Sequence, residues 1–224
     1  MRKIFGIFSL VLVSTLSFGQ GQVKQNQTSP VHIEGYIIGL YNRTITIVNQ
    51  NISKGQVPVA TFNTDEKGGF TADFEIPFSD YYVFRIENGQ GLNLVLAGND
   101  TISIYANVES LVFNCTVLGS DYSKSMKDFY VQYIPFKQME DSLTKVVRSD
   151  NSKATEVNNY FRPRAQTFFA YRNEYIKVNT NSPALLAALP AVNQENEFDL
   201  YNQIIKRLSV VFPVSPTISN LNKQ

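Results

Sequence analysis

A single cysteine, a single histidine and no tryptophan limit the chemistry open to this 224-residue chain. With only Cys115, neither an intrachain disulfide nor a CxxC redox pair can form. Metal centres draw on several His, Cys or clustered carboxylate ligands; here His32 stands alone, and Asp65-Glu66 and Glu140-Asp141 read as a turn and a solvated helix face. A serine hydrolase triad would have to use His32, yet no G-x-S-x-G segment accompanies it. Gly89-Gln90-Gly91 opens no helix, so the geometry that cradles a phosphate is missing. Charged residues are scarce too, at 17% against about 25% in ordinary globular chains. No catalytic, cofactor-binding or metal-ligating residue is assigned, and no cofactor is expected.

Long apolar runs are confined to the start. Arg2 and Lys3 precede a mostly apolar stretch from Ile4 to Phe18, and Ser17-Phe18-Gly19 places small residues where a signal peptidase cuts. The run is shorter than the ~20 residues of a membrane span. Residues 1–19 are therefore expected to be a signal peptide, with an uncleaved anchor as the alternative. A periplasmic or secreted protein of a gram-negative cell envelope follows, with no integral span after cleavage. Without Arg2 and Lys3 the chain carries 18 basic and 19 acidic residues. Such a balance gives no basic footprint for nucleic acid.

What the chain has in quantity is aromatic surface, with 16 Phe and 12 Tyr, to be buried in a core or offered to a partner. Residues 20–30 are polar and read as a disordered lead-in. Period-two alternation then recurs through about eight strands in residues 31–120. Val31, Ile33 and Ile37 share one face of the first strand, with Gly35 marking a bulge or close approach. Pro58 places the third strand at an edge. Phe70, Ala72, Phe74 and Ile76 form the cleanest alternation, after the hairpin Asn63–Gly68. Leu92, Leu94 and Leu96, then Ile102, Ile104 and Ala106, then Phe113, Cys115 and Val117 continue the pattern. That phase puts Cys115 on an apolar face as an inert buried thiol.

From Tyr122 the period lengthens to three or four. Tyr122, Met126, Phe129, Tyr133, Phe136, Leu143 and Val147 make one stripe; Val157, Tyr160, Phe161, Phe168, Tyr171, Tyr175 and Ile176 make another. Two such stripes around Ser149–Ser152 predict an antiparallel helical hairpin. Pro135 and Pro163 fall at matching distances from the tip, about 20 Å by helical rise, and predict matched kinks that wrap the hairpin over the sheet. A short apolar helix at Ala184–Leu189 and an amphipathic one carrying Phe198, Tyr201, Ile204, Ile205 and Leu208 should follow, leaving 210–224 as a tail. The fold class is thus α+β: an antiparallel, sandwich-like sheet over 31–120, then a helical region over 121–209 sharing its core.

Three short motifs in order carry a resemblance. Gly68-Gly69-Phe70, Gly98-Asn99-Asp100-Thr101-Ile102 and Gly119-Ser120 resemble the "G-x-F" hairpin, the "pGd-tI" turn and the "G-S" before the helices of the domain of unknown function 4369. That domain stands at the N-terminus of exported thioredoxin-like proteins of the TlpA/ResA kind. Ala97 occupies the place where proline is common in the turn. Asn179-Thr180-Asn181-Ser182-Pro183-Ala184 also looks like the helical linker of those proteins, which extends the resemblance to about residues 31–222. The sequence departs from them after Pro216, where they continue into a thioredoxin domain with its CxxC. The resemblance implies a non-catalytic accessory module that positions or binds a protein partner, with a homodimer as one form of partnership. A peptide- or glycan-binding domain and an envelope hydrolase using His32 are the alternatives.

Overall fold

The computed structural model describes residues 28–49 and 57–223. The expected signal peptide, most of the polar lead-in and the loop after Asn49 lie outside the described residues. Among the described residues, eight strands form two four-stranded sheets. One holds β4 (Gly69–Ile76), β1 (Ser29–Ile38), β7 (Thr101–Asn107) and β8 (Cys115–Leu118) in that order; the other holds β3 (Val57–Asn63), β2 (Thr44–Asn49), β5 (Asp80–Ile86) and β6 (Gly91–Leu96). Every pairing is antiparallel except β1 with β7. The first strand starts at Ser29, two residues inside the span expected to be disordered.

Alternation fixes the phase of the sandwich. Ile33, Ile37, Ile45, Ile47, Ile102 and Ile104 are fully buried between the sheets, while the intervening residues of β1 and β7 face outward. Gly35 has no room for a side chain: a Cβ there would stand 1.9 Å from the Ile104 carbonyl oxygen. That is the close approach its place in the strand predicted. β3 lies at a sheet edge, as Pro58 requires. Cys115 is buried, and burial pushes its thiol up to about 11, so it stays protonated and unreactive at neutral pH. Phe113 departs from the expected pattern. It lies in a turn closed by Asn114 N–H donating to the Ser110 carbonyl, and is 42% exposed.

Gly119 adopts φ +82°, a left-handed conformation, and its α-carbon lies so close to the Thr101 carbonyl that a Cβ would stand 2.0 Å from that oxygen. This reversal launches α1 (Asp121–Ser149), capped by Ser120, whose hydroxyl accepts from Ser123 N–H. α2 (Ala154–Val178) returns after a single 3₁₀ turn and completes the hairpin. Both helices run without interruption through Pro135 and Pro163. A 3₁₀ segment follows at Pro183–Ala191, started by Ser182 and buried at six of its nine residues, then α3 (Phe198–Val211) and α4 (Pro216–Leu221). Phe198, expected to pack, is 58% exposed at the start of α3. The expected tail is instead the end of α3 and the docked helix α4.

The two halves do not share one core. The sandwich buries its own apolar faces against each other, so the hairpin has none of them left to cover. The helices form a second core, to which the strands contribute Tyr81 and Val95. These two point away from the sandwich interior because their neighbours Tyr82, Phe84, Leu94 and Leu96 point into it. At this joint Ser123, in the first turn of α1, accepts from Val95 N–H at 2.9 Å and donates to the Val95 carbonyl at 3.3 Å. One hydroxyl thereby satisfies both backbone groups of an edge-strand residue.

Candidate functional site

The residues singled out in the sequence are dispersed. His32 lies on the outer face of the first sheet, its Nδ1 2.7 Å from Asp73 Oδ1 and its Nε2 3.7 Å from Glu34 Oε2. The hydrogen bond to Asp73 raises its pKa above 6.5 against a small cost of burial, and Glu34 adds to the rise. Both ring nitrogens face carboxylates. Ser103, the register partner of Glu34, donates its hydroxyl to that carboxylate. Asp65 closes the β3–β4 turn by accepting from the Lys67 and Gly69 amides, with the Gly69 bond foremost in lowering its pKa. Glu140 and Asp141 both bind Lys137 on the exposed surface of α1. Gln90 is structural: its amide donates to the Val108 carbonyl and its oxygen accepts from Leu111 N–H.

Two buried polar clusters carry no signature in the sequence. Asp80, at the start of β5, is fully buried and accepts from Ser215 Oγ at 2.5 Å, Thr217 Oγ1 at 3.0 Å and Asn49 Nδ2 at 3.2 Å. Ser215 in turn caps α4, so the carboxylate fastens the last helix to the second sheet. Arg172, also buried, forms a bidentate pair with Glu197 at 2.7 and 2.8 Å and donates to the Ala191 carbonyl. Its guanidinium holds the Glu197 carboxyl below the usual range, despite some burial. Both clusters stitch distant segments together.

Concave surface is found along α3, in a depression of about 580 Å³ between Thr180 and Arg207, and on the hairpin. Phe129 is the hub of the hairpin, within 4.5 Å of Tyr175 and 5.8 Å of Tyr171 between ring centroids, and Phe136 stacks on Phe168 at 4.1 Å. One side of this aromatic layer is packed by the 3₁₀ segment: Tyr133 donates to the Pro190 carbonyl and Tyr175 to that of Ala184, with a depression of about 390 Å³ left between the chain from Pro190 to Glu197 and Phe136, Lys137 and Phe169. The other side is a depression of about 730 Å³ bounded by Gln132, Pro135, Met139, Pro163, Thr167 and Tyr171. Pro135 and Pro163 face the same space, which sets them at one level of the hairpin as their spacing from the tip predicted. Each also leaves the carbonyl one turn back, on Val131 and Asn159, without its helical amide. A second depression of about 540 Å³, sharing Tyr171, continues towards the base between Asp121 and Val178. Both are lined by α1, α2 and the residue that ends α2.

No family model matches the chain, and no curated protein matches it in sequence. Among solved structures, the shaft pilin SpaA from Lactobacillus rhamnosus GG, as a double mutant, aligns over 36% of this chain and 48% of its own at 18% identity and TM-score 0.27. A 9R-lipoxygenase from Cyanothece PCC8801 aligns over 58% of this chain and 26% of its own at 12% identity and TM-score 0.25. The chain thus spans less than half the length of either structure, and similarity at that level carries no argument about fold or activity. The site is therefore read from its own geometry.

Proposed function

We propose that this chain is a non-catalytic, exported accessory domain that binds a protein partner through the uncovered side of its helical hairpin. The observation that carries this reading is the asymmetry of the hairpin. One side of its aromatic layer is packed by the Pro183–Ala191 segment, which leaves a depression of about 390 Å³ beside Phe136 and Phe169, whereas the larger depression on the other side is bounded by α1 and α2 themselves. Unpartnered apolar and aromatic groups in a concavity are what a binding surface supplies. The resemblance to the accessory domain of thioredoxin-like proteins supports the same role. Its three motifs occupy the β3–β4 turn, the β6–β7 turn and the launch of α1, where they act structurally. Any dithiol chemistry would belong to the partner, since Cys115 is single and buried. Export to the periplasm or beyond is supported by the apolar run at the N-terminus; among the described residues no helix is long and apolar enough to cross a membrane. The hydrolase alternative loses support from the setting of His32, whose ring nitrogens meet two carboxylates.

The test is photo-crosslinking in intact cells with a reactive residue at Gln132 or Thr167, and at Thr71 on the outer sheet face as a control. Adducts with an envelope protein at the two hairpin positions and not at Thr71 are expected. Adducts at Thr71 alone, or at none of the three, would refute the reading.

A second reading has one observation in its favour. Tyr36 and Tyr105 are register neighbours on the outer face of the first sheet, both more than one-third exposed. A glycan stacking there would be lost on Tyr105→Ala, measurable by retardation in polysaccharide-containing gels.

A further inference from the structure

We infer that the depression along α3 binds a short peptide with free ends, about three residues long, its ammonium group at Asp199 and its carboxylate at Arg207. One face of α3 lines this space with Asp199, Asn202, Gln203, Lys206 and Arg207, and Asn181, just past the end of α2, faces it too. Among the described residues, none of these six side chains makes a hydrogen bond or an ion pair within the chain. Around the hairpin, by contrast, charges are paired: Asp128 with Lys124 and Lys127, Glu174 with Lys177, Glu197 with Arg172. Thr180, in the same wall as Asn181, holds the one buried side-chain oxygen without a hydrogen-bond partner among the described residues. Such atoms are rare in folded proteins, and this one marks a wall whose polar capacity the fold leaves unused.

The unpaired groups match a peptide from end to end. A side-chain amide offers both acceptor and donors, the complement of a peptide N–H and C=O. Asn181, Asn202 and Gln203 can therefore read a main chain whatever side chains it carries. Asp199 precedes Arg207 by about 12 Å of helical rise, too far for the two to neutralise each other. That separation is close to the span of an extended tripeptide, at about 3.4 Å per residue. Arg207 is half-buried, and its planar fork takes a carboxylate in two parallel bonds, with Lys206 beside it as a point charge. Asp199 is left to accept from the ammonium group. The volume of about 580 Å³ suits a small ligand. A sugar matches less well, because no ring lines the depression for it to stack on. A lone anion would leave Asp199 and the amides beside it without a role.

The full chain is titrated calorimetrically with trialanine, N-acetyl-trialanine and trialanine amide. Trialanine is expected to bind with a Kd of about 0.3 mM, the strength open to a ligand of its size. Capping either end should weaken binding about tenfold. Arg207→Gln should abolish the preference for trialanine over its amide and keep the preference over the acetylated peptide; Asp199→Asn should do the reverse. Neither side chain has a partner in the fold, so both variants should keep the far-ultraviolet circular dichroism of the parent. No binding of trialanine up to about 10 mM, equal affinity for the capped peptides, or preferences unchanged in both variants would overturn the inference. Maltotriose binding as tightly as trialanine would overturn it too, since the amides would then be reading hydroxyls. The hairpin has no part in this site, so the crosslinks from Gln132 and Thr167 and these titrations stand or fall separately.

Discussion

The two cores of this protein are built from different materials. The sandwich is filled with Ile, Leu and Val from alternating positions on two sheets, and its apolar faces are used up within it. The second core holds six buried rings against three in the sandwich, set among Ala, Leu and Ile, and its tyrosines end in hydroxyls that find backbone carbonyls: Tyr81 of β5 on Pro183, Tyr175 on Ala184, Tyr133 on Pro190. Branched aliphatic chains in stiff rotamers fill a closed space. Flat rings with a polar tip can line a space that stays partly open. The contrast separates the part of the molecule that is complete from the part that has a side to offer.

The difference can be broken from either end. The largest effects should come from truncating a hub. Phe129→Ala is expected to cost about 3–5 kcal/mol in the helical half, and Ile47→Ala about 2–5 kcal/mol in the sandwich. Hydrogen exchange read segment by segment should show the first loosening α1, α2 and the 3₁₀ segment while β1, β2 and β7 stay protected. Loss of protection in both halves together would mean that the two cores melt as one.

Next in size is Asp80→Ala, which takes the shared acceptor away from the buried Ser215 and Thr217 hydroxyls and should cost about 2–3 kcal/mol. Its signature is early exchange over residues 216–221, with the hairpin unaffected. Ser120→Ala removes the cap of α1 and should cost about 1 kcal/mol, visible as a lower urea midpoint.

The smallest effect belongs to His32. Its pKa is raised in the folded protein, so the stability it lends is fully present below the unfolded value of about 6.5. That contribution is lost as pH rises through the higher folded value. Thermal midpoints of the parent should therefore fall across that interval relative to those of His32→Gln; a constant difference between the two curves would show that the Asp73 contact contributes nothing.

The strand phases were legible because an alternating face leaves a period-two record, and the Gly35 and Pro58 positions carried their own sterics. Phe113 misled for the same reason: a turn closed from Ser110 to Asn114 happened to preserve the alternation. The separation into two cores was hidden because Tyr81 and Val95 differ from their inward neighbours only in parity. Asp80 was illegible, since a carboxylate after Pro77-Phe78-Ser79 has the composition of a turn and its partners Ser215 and Thr217 lie 135 and 137 positions away. The helical stripes foretold most of the residues that pack, although Tyr122 and Tyr160 of those stripes are exposed; the open side depends on which face the Pro183–Ala191 segment takes, and no local pattern records that choice.

The contact between Asp80 and Ser215 has a mechanical consequence. The helical half is tied to the second sheet at its entry through Ser123 on Val95, midway through Tyr81 on the Pro183 carbonyl, and at its exit through Ser215 and Thr217 on Asp80. A pull on α4 is therefore borne first by β5 in the middle of a sheet, and the hairpin stands outside that line of force. A load applied to the hairpin therefore has a route to the second sheet that does not pass through α4.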